Sequence, residues 1–407
     1  MSDISPTPNT TGTDLGGQNL DAQTRAYLTL NFTPGLGPRG IKQLCDHFGD
    51  AARVCAADRA ALLGVDGVGA KRADAIIAAR HNDRVDQELD RAEALGVGLL
   101  TPAHDDYPTL LRHIFDPPTV LYVRGALPPT LADEATRVRS FAIVGTRDAS
   151  PYGLAFSRRF ALRLAEAGVT VVSGLALGVD TAAHQGALGT PDGDTVAVLG
   201  SGVDVIYPRQ NQNLAAQIAE GRGAIVSEYP LGTKPNPTNF PGRNRIINGL
   251  CPGVLVVEGG LKSGAMITAE FASEEGRTVF AVPGRVGDDR ALGPLTLIKQ
   301  GAVLAMAPQD VFDEFDWAND RAAGVAADGT AADGVAADAG PTIDSLPEVP
   351  RTVARAVAAK GEALLDDLVT ATGRPLPDLL PVILQLELQG VIQKLPSGRY
   401  HCLWRQH

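Results

Sequence analysis

Cysteine is scarce in this 407-residue chain, with four residues, Cys45, Cys55, Cys251 and Cys402, scattered without metal-ligand spacing. That scarcity excludes a disulfide-stapled scaffold and a cysteine-based metal site, and reads as reduced core thiols. No apolar run is long enough to span a bilayer. The opening MSDISPTPNTTGTDLGG lacks the basic-then-apolar order of a secretory signal, so a cytoplasmic protein is expected. A positive balance is missing too: the formal net charge is −11. This excludes a surface coated in basic groups. It leaves room for a local basic groove, because binding follows the field at the site rather than the sum. Catalytic signatures are also absent, with no serine or cysteine in a nucleophile elbow, no phosphate-loop lysine motif and no His/Cys metal spacing. No cofactor, no metal and no enzymatic activity are therefore expected.

What is present divides into several domains, since one core rarely serves so long a chain. Residues 1–19 are rich in Ser, Thr, Asn, Gly and Pro and read as a disordered tail. Residues 20–82 read as helical, with two similar glycine turns. One is Pro34-Gly35-Leu36-Gly37-Pro38-Arg39-Gly40 before IKQLCDHF; the other is Val65-Asp66-Gly67-Val68-Gly69-Ala70-Lys71-Arg72 before ADAIIAAR. An apolar residue between two glycines at a helix entry is the form of a helix-hairpin-helix or SAM-like repeat. Its helix amides either hold a DNA phosphate or simply turn a corner, with Asp66 speaking for the corner.

The stretch that organises the chain is FAIVGTR, Phe141 to Arg147, followed by SPYG and an amphipathic run from Leu154 to Ala167. Strand, tight turn, helix is the grammar of a phosphate-binding turn in an open α/β sheet. Here an arginine stands where a dinucleotide fingerprint has its second glycine, and a guanidinium offers bidentate donors to phosphate. Within residues 83–315, a helix is expected over Asp86–Leu95 and strands over Val97–Leu100 and Val120–Val123. From Phe141 on, strands rich in Val, Ile and Ala alternate with helices, which predicts a parallel sheet covered on both faces. Five strand ends carry small residues: Gly145, Ser173-Gly174, Gly200-Ser201-Gly202, Glu258-Gly259-Gly260 and Gly284. They read either as tight turns or as a ligand face, and five in one sheet favour the face.

The run NFPGRNRIING, Asn239 to Gly249, crowds Phe240, Arg243, Asn244 and Arg245 at a helix start, shortly after Lys234. A base can stack on the ring while guanidinium groups and helix amides take phosphates. Alternatively, the ring is core and Arg245 pairs with Glu228 or Glu258. Arg243 and Arg245 stand two apart and point to different sides, so one of them is expected at the ligand. His184 after Asp180 reads as a packed residue beneath a turn rather than a general base.

Residues 316–347 read as an acidic flexible linker: GVAAD, GTAAD and GVAAD repeat in tandem, and residues 316–345 hold six aspartates against one arginine, a local charge of −5. Residues 348–407 predict three amphipathic helices and a two-stranded ribbon joined at Ser397-Gly398, the pattern of a winged helix. Its second and third helices carry Asp366, Asp367, Asp378 and Glu387 and no lysine or arginine, which suits a protein partner better than phosphates.

Assembled, these stretches resemble the DNA-processing protein A (DprA/Smf) family. The resemblance is carried by FAIVGTR with SPYG, VVSGLALGVDTAAH, VAVLGSGVDVIYPRQN, VSEYP, FPGRNRIINGL, VLVVEGGLKSGAMITAEFASEEGR and VFAVPG, spanning about Asp105 to Ala305. It implies an α/β, Rossmann-like parallel sheet core between an N-terminal all-α helix-hairpin-helix/SAM-like domain and a C-terminal winged-helix-like domain. It also implies a non-enzymatic homodimer that binds and protects single-stranded DNA and loads the RecA recombinase during natural transformation. By the same resemblance Arg147 is the phosphate-contacting arginine, Phe240, Arg243 and Asn244 belong to the FP-RNR motif, and Lys234 is the candidate for a nearby lysine. The expected DNA-binding set is Gly145, Thr146, Arg147, Ser173, Gly174, Lys234, Phe240, Arg243, Asn244, Arg245, Lys262, Ser263 and Gly264. A second reading comes from EGGLKSGAMITAE, similar in shape to the PGG-G-T---E signature of nucleotide phosphoribohydrolases. It would make Glu258, Glu270 and Glu274 catalytic, but Lys262-Ser263 replaces Gly-Thr.

Overall fold

A computed structural model describes residues 22–132, 138–317, 343, 346–360, 362–388, 391–394 and 399–402. The expected N-terminal tail, most of the acidic linker and the Ser397-Gly398 turn lie outside the described residues. The chain divides into two units, Met1–Arg321 and Ala322–His407.

The first unit begins with six helices: α1 (Ala22–Asn31), α2 (Pro38–Phe48), α3 (Ala51–Ala56), α4 (Arg59–Leu63), α5 (Ala70–Ala79) and α6 (Asp83–Ala94). Gly37 and Gly69, both extended, precede α2 and α5. Gly35 and Gly67, with φ of +76° and +72°, make the two matching turns in a region that only glycine enters without strain. The residue between each glycine pair, Leu36 or Val68, is buried. Each turn thus drives an apolar plug into the module's core. Asp50, Asp58 and Asn82 cap the next helices by accepting from Arg53, Ala61 and Arg84 backbone amides. The last cap starts α6 at Asp83, three residues before the expected Asp86.

A nine-stranded sheet follows: β1 (Gly98–Leu100), β2 (Leu121–Gly125), β3 (Ser140–Val144), β4 (Thr170–Ser173), β5 (Thr195–Val198), β6 (Ala224–Ser227), β7 (Gly253–Val256), β8 (Thr278–Ala281) and β9 (Val303–Leu304). The helices among them are α7 (Thr109–Arg112), α8 (Pro151–Glu166), α9 (Val179–Ala187), α10 (Gln212–Glu220), α11 (Asn239–Gly249), α12 (Gly264–Glu274), α13 (Leu292–Lys299) and α14 (Pro308–Glu314). Strand order is β1-β2-β6-β5-β4-β3-β7-β8-β9. The parallel sheet expected from Phe141 on is observed, and the two strands that precede it in the chain add an antiparallel edge: β2 runs antiparallel to both β1 and β6. A period-two or all-apolar pattern marks a strand but not its direction. From β6 to β9 the sheet is parallel. The chain leaves β3 toward β4, β5 and β6 on one side, then resumes at β7 on the other. The crevice outside the carboxyl ends of β3 and β7 is therefore a topological switch point.

Helices α1 to α6 share one apolar cluster with Tyr122, Ala197, Leu199, Leu214, Ile218 and Ile225, so the helical module is packed on one face of the sheet, over β1, β2, β6 and β5. Helix α6 adds a polar joint, in which Glu88 accepts from the Leu231 amide at 2.7 Å and Arg91 pairs with Asp204 at 2.6 Å.

The second unit holds α15 (Glu348–Lys360), β10 (Glu362–Ala363), α16 (Leu365–Thr372), α17 (Leu376–Leu388), β11 (Ile392–Lys394) and β12 (Tyr400–Cys402) around Val353, Val357, Leu368, Ile383 and Tyr400. The expected two-stranded ribbon is a three-stranded antiparallel sheet, because Glu362 and Ala363 pair with β12. Asp367 serves its own helix start, where its carboxylate accepts from the Leu364 amide and from Lys360 Nζ.

Candidate nucleic-acid interface

The turn after β3 is fixed from three directions. A Cβ on Gly145 would fall 2.5 Å from Val179 Cγ2 and 3.0 Å from the Glu258 carbonyl, so the chain passes there only as glycine. The Thr146 amide donates to that carbonyl at 2.7 Å, and the Val179 amide donates to Thr146 O at 3.3 Å. Ser150 caps α8 by accepting from the Gly153 amide. The Ser150 amide and hydroxyl in turn donate to the Glu258 carboxylate at 2.8 and 2.5 Å. Arg290 closes the outer side, donating to Asp148 O at 2.8 Å and pairing with its carboxylate at 2.9 Å. Between these anchors the Arg147 side chain is exposed at the switch point. No carboxylate among the described residues pairs with it. Its guanidinium lies over Phe240, Cζ 5.5 Å from the ring centroid.

Phe240 enters from α11 and is half-buried. A Cβ on Gly200 would stand 3.1 Å from its Cδ1, so that glycine lets the ring settle against the end of β5. Its neighbour on the other side is Tyr207, ring centroids 6.0 Å apart and planes tilted by 42°.

Arg243 also flanks Phe240, Cζ 5.9 Å from the centroid, but is buried. It is 5% exposed and donates from Nη1 to Gly174 O at 2.7 Å and to Val198 O. These carbonyls end β4 and β5, so the guanidinium closes the open ends of two strands. Asp180 lies below, accepting from the Gly174 and Ala176 amides at 3.1 and 3.3 Å. Burial pushes the Asp180 carboxyl up while the charge of Arg243 pulls it back. Burial likewise lowers Arg243, opposed by Asp180. His184 sits in the same buried layer. The Thr195 hydroxyl donates to Val171 O, so His184 Nδ1–H donates to that hydroxyl at 2.8 Å. Burial, then the charge of Arg243, pushes His184 down to about 3, so it stays neutral.

Arg245 goes elsewhere. It forms a bidentate pair with Glu228 at 2.9 and 2.6 Å and reaches Asp116 at 2.9 Å. Asn244 is buried, its Nδ2 3.4 Å from Gly264 O at the start of α12. The Ser173 hydroxyl donates to Ile143 O, inside the sheet. Lys234 is exposed on the β6–α11 loop, and Lys262, Ser263 and Gly264 line the entry to α12, where Lys262 is exposed. The structure therefore brings Arg147, Phe240 and Arg243 together over Gly174, and does not bring Arg245 to them. Tyr207 was not among the expected residues, although an aromatic beside a proline in the loop after β5 was a usable signal. Of the carboxylates in the hydrolase reading, Glu258 is buried and accepts from the Ser150 amide and hydroxyl, while Glu270 and Glu274 are exposed on α12. No group of three or more His, Cys, Asp or Glu placed to hold a metal occurs among the described residues.

The family model of DNA recombination-mediator protein A matches residues 98–316, and that of a SAM-like helix-hairpin-helix tandem matches residues 28–82. Protein Smf of Synechocystis sp. is 37% identical over 391 residues, 92% of this chain and 97% of that protein. DNA processing protein DprA of Bacillus subtilis is 41% identical over 224 residues, 55% of this chain and 73% of that one. The X-ray structure of DNA processing protein A from Streptococcus pneumoniae superposes with a TM-score of 0.60 at 31% identity, covering 72% of this chain and 97% of that chain.

Proposed function

Because the chain belongs to the DNA recombination-mediator protein A family, we propose that its switch-point crevice grips single-stranded DNA and that the protein protects that strand and loads RecA on it during natural transformation. In this reading it is a cytoplasmic homodimer and performs no chemistry on the strand. One observation carries the reading: an exposed arginine with no carboxylate partner among the described residues lies over a half-buried phenylalanine, at the place where an open α/β sheet takes its ligands. The guanidinium suits one phosphate and the ring suits one base, a combination that tolerates any sequence. The hydrolase reading loses support because the Glu258 carboxylate is bonded to the start of α8.

A salt-titrated gel shift with single-stranded and duplex oligonucleotides of equal length tests the grip. The protein is expected to prefer the single strand and to bind with a steep salt dependence. Arg147→Ala should weaken binding about tenfold across unrelated sequences and reduce the salt slope by about 0.7. Unaltered binding by that variant removes the claim. RecA loading is checked separately, by whether the protein shortens the lag of RecA filament growth on coated single strands.

A further inference from the structure

We propose that Tyr207 is a second base-stacking platform of the groove, holding the base next to the one on Phe240; this rests on the single-strand reading above. The ring is 42% exposed, and its hydroxyl makes no hydrogen bond among the described residues. Among the described residues its ring contact is with Phe240. The 42° tilt keeps the two rings from closing face to face. Arg147, Phe240 and Tyr207 follow one another at 5.5 and 6.0 Å, from the end of β3 to the loop after β5. This is a cation followed by two stacking surfaces across the carboxyl ends of the strands, the alternation a single strand needs to lay down a phosphate and then successive bases. Arg209, two residues on, is exposed with no ion pair among the described residues, which provides a second cation for the backbone.

The loop is held before any strand arrives. On one side of Tyr207 the Ser201 hydroxyl donates to Val205 O at 2.7 Å, and Asp204 accepts from the Gly232 amide at 2.8 Å and from Arg91 at 2.6 Å. On the other side Asn211 Nδ2 donates to Leu175 O and to Thr181 Oγ1, both at 2.8 Å. A platform fixed in this way loses little freedom on binding.

The test uses the full chain and fluorescence anisotropy with two labelled strands of equal length, one of thymidines and one fully abasic. On the thymidine strand Tyr207→Ala should bind about tenfold more weakly, with an unchanged salt slope, because stacking and not phosphate contact is lost. Tyr207→Phe should match the parent. Tyr207→Leu, which keeps a bulky apolar contact with Phe240, should lose as much as Tyr207→Ala. On the abasic strand all three variants should equal the parent. Parent-like binding of thymidines by Tyr207→Ala overturns the proposal; parent-like binding by Tyr207→Leu overturns it too and would mark Tyr207 as packing for Phe240; and an equal loss on the abasic strand overturns it by placing the effect on the backbone grip or the fold rather than on a base. A parent protein that shows no preference for single strands, or an Arg147→Ala variant that binds normally, is a failure of the groove reading itself and takes Tyr207 with it.

Discussion

Two arginines touch the same phenylalanine, and their surroundings give them opposite duties. Arg243 bonds carbonyls from two strand ends and lies near a buried carboxylate, so truncation removes a donor from both carbonyls and the opposing charge from Asp180 at once. Arg243→Ala should cost on the order of 3 kcal/mol, read as a lower urea midpoint, whereas Arg147→Ala should change stability by less than about 0.5 kcal/mol. The motif was legible in the sequence, and so was the fact that residues two apart on a helix face apart. The Glu228 pairing of Arg245 was one of two readings the sequence offered and is the one observed; the burial of Arg243 was not legible, since Gly174 O and Val198 O reach α11 from distant parts of the chain. His184 makes a pH-dependent prediction at the same scale. Its folded-state value of about 3 lies below the ordinary 6.5, so its neutral form stabilises the fold fully above pH 6.5. That contribution is lost as pH falls toward 3, at about 1.4 kcal/mol per unit. Asp180, pushed up by burial, works the other way. The readout is therefore the difference between parent and His184→Gln, whose stability gap should narrow by about 2 kcal/mol between pH 6.5 and 5.

At the scale of elements, the grip depends on loops that press on one another. Gly178 opens α9 with φ +79°, and a Cβ there would lie 2.3 Å from Thr146 O and 2.7 Å from Arg147 O. Gly178→Ala is strained both by its backbone and by that contact. It should lower stability by about 2 kcal/mol and also weaken single-strand binding, since relief comes by moving the 146–147 turn away from Phe240. An alanine variant with parental affinity would show that the turn's position is immaterial. The elements were readable because short Val, Ile and Ala strands ending in glycine alternate with amphipathic helices. The reversed direction of β2 was not, because pairing partners are set by tertiary packing and not by the pattern of one strand. The start of α6 was missed although two signals marked it, the Asn82 cap and the Val85, Leu89, Ala92 spacing of the buried face.

For the whole molecule, the net charge of −11 misdirects unless it is divided along the chain, since nearly half of it sits in residues 316–345. The same division sets what can be removed. The clusters that bury the sheet run from Ala26 to Trp317 and include no residue of the second unit, whose own cluster begins at Ile343. Every residue assigned to the groove lies between Gly145 and Gly264. A chain ending at residue 317 should therefore keep the melting transition of the first unit, together with single-strand affinity within about twofold and an unchanged salt slope. Removal of residues 1–96 should have the opposite result. Helices α1 to α6 cover Ala197, Leu199 and Ile225, and α6 holds the 204–232 joint through Glu88 and Arg91. Without them an apolar sheet face is opened to water and the Tyr207 loop is freed, so aggregation and loss of binding are expected together. Light scattering and anisotropy on the two truncations separate these cases: if the C-terminal cut alone abolishes binding, the groove does not end at Gly264 and the second unit supplies part of the grip.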